Sequence, residues 1–241
     1  MRIALFSDIH ANLPALEAFF TDVEQRKVDA LYCLGDLVGY NTWPDEVIDE
    51  IRRRGIPTIA GNHDLKVKKL KQDEGFENVD YAYHIGSDEA REYLRTLPEF
   101  IRLKFSSTSE VLNIHLVHGS PRSINEYLLE DLEESYVKEL LDEVSADILF
   151  CGHTHKPYHR AIATSGKYKH IVNIGSIGKP KDGDPRGCYV ILTLKESSSL
   201  VDIQSIAVDF IRFEYDVEAA AKAIEASPLP DEFAERLRKA Y

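Results

Sequence analysis

Ile148-Leu149-Phe150-Cys151, followed by Gly152-His153-Thr154-His155, is the stretch on which the fold turns. A short apolar run reads as a buried strand, and the glycine behind it opens a loop that carries two imidazoles at the strand's carboxyl end. The same punctuation recurs upstream. Asp8 and His10 follow the run 2–6, Gly35 and Asp36 close the run 28–34, Asn62, His63 and Asp64 follow 56–60, and His118 follows 111–117. In parallel sheets ligands gather beyond the carboxyl ends of the strands, so these five segments predict one shared site at one sheet edge.

The chain between these blocks supplies the scaffold. Pro14 stands in a first helical turn, and Leu16, Phe19, Phe20 and Val23 then recur at helical spacing. Pro44 opens a second helix with the apolar stripe Val47, Ile48 and Ile51, and Gly55 ends it before a third strand at 56–60. Strand and helix alternating over 2–60 predict a parallel sheet with right-handed crossovers. Ser87 caps a helix that Pro98 stops, and 100–105 with 111–117 form a hairpin. Ser123 and Glu126 have capping-box spacing, which predicts a helical stretch from there, with room for a break, to 144. Residues 158–164, 168–174, 188–194 and 200–213 read as an antiparallel β block, and 219–226 and 232–241 as helices. The expected class is α/β, with two mixed sheets packed face to face and flanked by helices. One domain spans 1–241, with 214–241 as closing helices.

Composition narrows the function. The chain has 241 residues, 44% apolar and 29% charged, with 41 acidic against 29 basic residues and a formal charge of -12. That field repels polyanions, so general binding to nucleic acid or an anionic membrane is not expected. The start of the chain has no secretory pattern and no window resembles a membrane span, which predicts a cytoplasmic protein. Cys33, Cys151 and Cys188 sit singly in apolar segments and read as reduced core residues.

Asp8, Asp36 and Asn62 with His10, His118, His153 and His155 form an oxygen- and imidazole-rich donor set suited to divalent transition ions. Seven ligands are too many for one ion. Two ions sharing a carboxylate fit better, since negative charge must lie between dications about 3.5 to 4 Å apart. Taken singly, Asp8 reads as a turn, Asn62 or Asp64 as a helix cap, and His118 or His153 as a core histidine; the coincidence at strand ends overrides these readings.

The blocks Asp8-Ile9-His10, Gly35-Asp36, Gly61-Asn62-His63-Asp64, Val117-His118-Gly119 and Gly152-His153-Thr154-His155 resemble, in number and order, the metal motifs of the calcineurin-like metallophosphoesterases. Asn173-Ile174-Gly175-Ser176 and Gly183-Asp184-Pro185-Arg186 resemble its small bacterial and archaeal phosphodiesterase-like branch. The resemblance implies a four-layer α/β/β/α sandwich and two metal ions, manganese foremost, with iron, zinc, nickel or cobalt as alternatives. It places Asp8, His10 and His155 on the first ion, Asp36 between the two, and Asn62, His118 and His153 on the second. A bridging hydroxide would attack a phosphoester in line. His63 would aid the leaving oxygen, with Asp64 orienting its ring. Ala11 departs from the motif, which often carries glycine there.

The expected substrate is a small phosphoester, a diester before a monoester or phosphoprotein. A non-catalytic metal-binding scaffold, as the retromer subunit of similar fold suggests, and a nuclease are the alternatives. His84, His115, His159 and His170 match no block and read as structural or surface residues. Lys66, Lys68, Lys69 and Lys71, in a short helix or lid, and Arg122 and Lys179 read either as solvated charges or as guides for an anion. The loop 40–43 reads as a site wall or as packing over the second helix.

Overall fold

The computed structural model describes residues 1–69, 81–84 and 86–241, without the side chains of Lys68, Lys69 and Ala82. The first half runs β1 (Arg2–Phe6), α1 (Leu13–Gln25), β2 (Ala30–Cys33), α2 (Pro44–Arg53), α3 (Asn62–Lys69), α4 (Tyr81–His84) and α5 (Asp88–Thr96). It continues with the hairpin β3 (Phe100–Ser106) and β4 (Val111–Val117), then α6 (Glu134–Glu143) and β5 (Ile148–Cys151). The rest is β6 (Tyr158–Thr164), β7 (Lys167–Asn173), β8 (Gly187–Thr193), β9 (Ala207–Phe213), α7 (Val217–Glu225) and α8 (Asp231–Lys239).

Two mixed sheets form, in the orders β2-β1-β8-β9 and β3-β4-β5-β7-β6. Pairing is parallel for β1 with β2, β4 with β5 and β5 with β7, and antiparallel elsewhere. Side-chain alternation explains the layering. In β1, Ile3 and Leu5 face the other sheet, where they meet Leu116 and Phe150, while Ala4 and Phe6 face α1 and α2. In β5, Ile148 and Phe150 point between the sheets and Leu149 and Cys151 point toward α6. Strands buried on both faces carry apolar residues at every position, which is why these runs show no period of two in the sequence. The layers are thus helix, sheet, sheet, helix, and α7 and α8 form a further cluster with Tyr40 and Trp43.

Three local expectations change. The strand expected at 56–60 is reduced to one parallel bridge, Cys33 with Thr58. Pro57 has no N–H to donate, and the Ala60 N–H turns away to Pro98 O at 2.8 Å. The first sheet is mixed, as expected, with β8 antiparallel to both β1 and β9. The helix expected from Ser123 begins only at Glu134. Glu126 does not close a capping box, because its carboxylate accepts the hydroxyls of Ser120 and Tyr136 instead. The block after residue 157 is also divided: β6 and β7 join the second sheet, with β7 parallel to β5, whereas β8 and β9 complete the first. Lys71 of the lysine run lies outside the described residues, and no described helix is long and apolar enough to cross a membrane.

Phe19 anchors the outer layer. It is fully buried, with its ring 4.3 Å from Phe6 and 5.0 Å from Tyr189. Phe19→Ala should leave a cavity between α1 and the first sheet and lower stability by about 3–5 kcal/mol. Denaturant midpoints of the metal-free proteins measure it; a loss under about 1 kcal/mol would show that the layer collapses around the gap.

Candidate metal centre

The five motif loops are laced together by main chain. Asp8 N–H donates to Gly35 O at 3.0 Å, His10 N–H to Asp36 O at 2.9 Å, and Gly152 N–H to His118 O at 2.9 Å. A Cβ on Gly61 would strike the Asp36 carboxylate, and one on Gly152 would strike Ser7 Oγ and Asp8 Oδ2. Both glycines are there for close approach. Asp8, His10, Asp36, His153 and His155 take φ of 55°, 52°, 55°, 66° and 60°, in the left-handed region. Each such residue costs about 1–2 kcal/mol, so the site concentrates strain that the lacing must offset. Ala11 keeps the motif turn at φ 53° despite lacking glycine's freedom.

All the expected ligand residues converge. The donor atoms of Asp8, His10 and His155 lie within 4.8 Å of one another, and so do those of Asp36, His118 and His153. Asp36 Oδ2 stands between the groups, 3.6 Å from His10 Nε2 and 3.4 Å from His118 Nε2. Asn62 Oδ1 is 3.1 Å from His118 Nε2. These side chains are buried apart from Asn62, which is partly exposed.

Hydrogen bonding sets which nitrogen faces inward. His10 Nδ1 lies 3.1 Å from Val38 O, His118 Nδ1 2.8 Å from Leu34 O, and His155 Nδ1 against Lys179 O. A carbonyl only accepts, so each Nδ1 carries the proton and each Nε2 is aimed at the centre. Burial holds His10 and His155 below the usual imidazole range, hence neutral at pH 7. Their Nε2 lone pairs then face each other at 3.2 Å, beside Asp8 Oδ1, which has no hydrogen-bond donor among the described residues. Three acceptors converging without a proton fit a bound cation.

The second group differs. Burial opposes a charged His118, but the Asp36 carboxylate overcomes it and raises the ring to about 9. Burial likewise opposes ionisation of Asp36, and His118 and its neighbours keep it well below the usual carboxylate range. In the metal-free protein a proton on His118 therefore supplies the positive charge that an ion would bring.

His63 sits at the meeting of the two groups, its ring centroid 4.9 Å from His10. Asp64 does not orient that ring. Its carboxylate accepts the N–H groups of Asp36, Leu37 and Gly61 at 2.8, 2.9 and 2.9 Å, which fixes the Asp36 loop. Burial, then the Asp36 charge, raises Asp64 to about 7. The partner of His63 Nδ1 is instead the Tyr83 hydroxyl at 2.5 Å. Burial lowers His63 to about 4, so its ring is neutral at pH 7.

Several contributors carry no motif signal. Tyr83 lies 20 residues from its partner in a stretch without periodicity. Tyr127 stacks on His153, centroids 4.4 Å apart and planes 18° apart, and is 54% exposed at the rim. Asn173 donates to Gly152 O at 2.7 Å and Thr154 Oγ1 at 3.0 Å, and Ser176 Oγ to Asp8 O at 2.8 Å, so the Asn173–Ser176 turn braces two ligand loops. Tyr40 packs both ways, 4.8 Å from the His10 and His63 rings and 5.1 Å from Phe233 on α8. His115, His159 and His170 lie on strands away from the centre, His159 Nε2 2.9 Å from His170 Nδ1. His84 closes α4. Arg122 is engaged by Glu139 and Glu143.

Comparison with known proteins places the chain among relatives of the same fold. A structure of a metallophosphoesterase from Sphaerobacter thermophilus is 28% identical, with a TM-score of 0.80 over 100% of both chains. A hypothetical protein from Pyrococcus horikoshii shares the fold at 24% identity, with a TM-score of 0.81 over 100% of this chain and 98% of that one. An uncharacterized protein of Methanocaldococcus jannaschii is 30% identical over 98% of this chain and 96% of its own. The model of the calcineurin-like phosphoesterase superfamily domain matches residues 1–197, and the chain belongs to that family.

Proposed function

We propose that this protein is a two-metal-dependent phosphoesterase acting on phosphodiesters. The observation that carries the reading is the convergence of His10 Nε2, His155 Nε2 and Asp8 Oδ1, acceptors that face one another around a point fit for a cation. Asp8, His10 and His155 would hold one divalent ion, Asn62, His118 and His153 the other, and Asp36 both. When bound, the ions would activate water as a nucleophile and neutralise phosphoryl oxygens, as two-metal sites do. The preference for a diester rests on the likeness of the 173–176 and 183–186 segments to phosphodiesterase-like relatives.

The chain's own residues prepare the rest. Asp36 Oδ1 accepts the His63 backbone N–H at 2.8 Å, which ties the start of α3 to the shared ligand. A hydrogen bond given by the Tyr83 hydroxyl to His63 Nδ1 would leave the proton on Nε2. A neutral imidazole of that tautomer donates a hydrogen bond to the leaving oxygen, and burial strengthens the bond by excluding water. Tyr40 and Tyr127 wall the mouth on opposite metal groups.

Hydrolysis of bis-p-nitrophenyl phosphate and p-nitrophenyl phosphate, after metal stripping and return of manganese, tests the reading. Diester turnover should exceed monoester turnover and fall to the chelator background in Asp36→Asn; equal residual activity in that variant would sink it. His63→Ala should keep its metal content yet lose about 10²–10⁴-fold in kcat, the usual worth of acid catalysis, with Tyr83→Phe in between. Unchanged kcat at matched metal content would remove His63 from the reaction.

Metal uptake should also release protons. His118, raised to about 9, is protonated at pH 8, whereas the buried histidines held low are not, and Asp64 at about 7 has largely ionised. Ligation needs a bare Nε2, so filling the centre at pH 8 should release about one proton from His118 in addition to any released by metal-bound water, and apparent affinity should fall as pH drops below 9. Calorimetry in buffers of different ionisation enthalpy counts them. His118→Asn should release about one proton fewer than wild type, and an equal release from both proteins would refute the assignment.

A further inference from the structure

Lys179 is 1% exposed, yet its ammonium has no carboxylate or hydrogen-bond acceptor as partner among the described residues. It lies 4.6 Å from the centroid of the Tyr40 ring, the same ring that packs on His10 and His63. A buried ammonium without an anion is costly. Two more cations belong to the same corner. Lys181 forms no ion pair among the described residues, and its backbone N–H donates to His155 O at 3.4 Å. Arg236 lies on α8, whose Phe233 packs 5.1 Å from the same Tyr40 ring. It spends one nitrogen on Glu232 at 2.5 Å, while its Nε is buried without a partner.

Scarcity of carboxylates does not explain the arrangement. The chain has 41 acidic residues, and Arg122, Arg186 and Arg212 each find one. Lys179 and Lys181, unpaired among the described residues, occur with the half-paired Arg236 beside a centre that would itself hold dications, where extra positive charge is repulsive unless the ligand brings more anion than the reacting phosphate. The backbone of Lys179 is also fixed, since its carbonyl accepts from His155 Nδ1 and its N–H donates to Ser176 Oγ at 2.8 Å.

Building on the phosphoesterase reading, we infer that Lys179, Lys181 and Arg236 form a second anion subsite behind Tyr40. The substrate class is then a phosphodiester that carries a further phosphate beyond the scissile one. Arg236 lies outside residues 1–197, so α8 adds this selectivity to the part of the chain that the family shares.

Product-like probes test the subsite. Binding of the bisphosphates of ethane-, propane- and butanediol is compared with that of the matching n-alkyl monophosphates by calorimetry on manganese-loaded protein, with metal content measured in each sample. Wild type should bind at least one bisphosphate roughly 10-fold or more tightly than its monophosphate, the worth of one charge-assisted contact. Lys179→Met and Arg236→Met should each bring that ratio toward the statistical factor of about two expected for two equal phosphates. Arg236, partly exposed, carries the test if the Lys179 variant fails to fold. Equal affinities in wild type at every length, or a preference untouched in Arg236→Met, would overturn the proposal. If the preference and its loss both appear while bis-p-nitrophenyl phosphate is not hydrolysed, the proposed reaction falls and the subsite stands.

Discussion

Two neutral imidazoles pointing their lone pairs at each other across 3.2 Å, beside an ionised carboxylate, set the terms for this structure. Buried acceptors in such a cluster repel, and the low polarity around them magnifies the repulsion. The fold holds them there from outside. Backbone carbonyls of Val38, Leu34 and Lys179 take the Nδ1 protons of three histidines, so ring orientation does not depend on what lies at the centre. A cation would relieve the first group, and on the second a proton on His118 does the same work.

The strain follows from that requirement. Left-handed Asp8, His10, Asp36, His153 and His155 are tolerable because strands with both faces buried hold the loop stems, and cross-loop main-chain bonds hold the tips. Asp64 belongs to this support. With three N–H groups on its carboxylate it shapes the loop that presents Asp36, and so acts on the centre through the backbone.

The layers around the centre have unequal duties. The two sheets and their helices place the candidate metal ligands, while α7 and α8 pack through Phe233 onto Tyr40. Chemistry common to the family thus sits in the sandwich, and the charge pattern that we read as selectivity sits where the closing helices meet it.

The sequence by itself determined the donor set and most of the strands and helices. Each motif stands at the end of its own apolar run, and glycine, proline and helical spacing are local signals that neighbouring residues carry between them. It also identified the family through five blocks in order. Tertiary structure decided what depends on residues distant in the chain: the bridge in place of a strand at 56–60, the late start of α6 once Glu126 serves Ser120 and Tyr136, and the division of the last strands between two sheets. It also decided that Tyr83 rather than Asp64 meets His63 Nδ1, and that Lys179 is buried without a carboxylate. The physical reason is the same in each case. A hydrogen bond or charge pair between residues tens of positions apart exists only after packing has chosen their neighbours, and no local period or spacing encodes that choice.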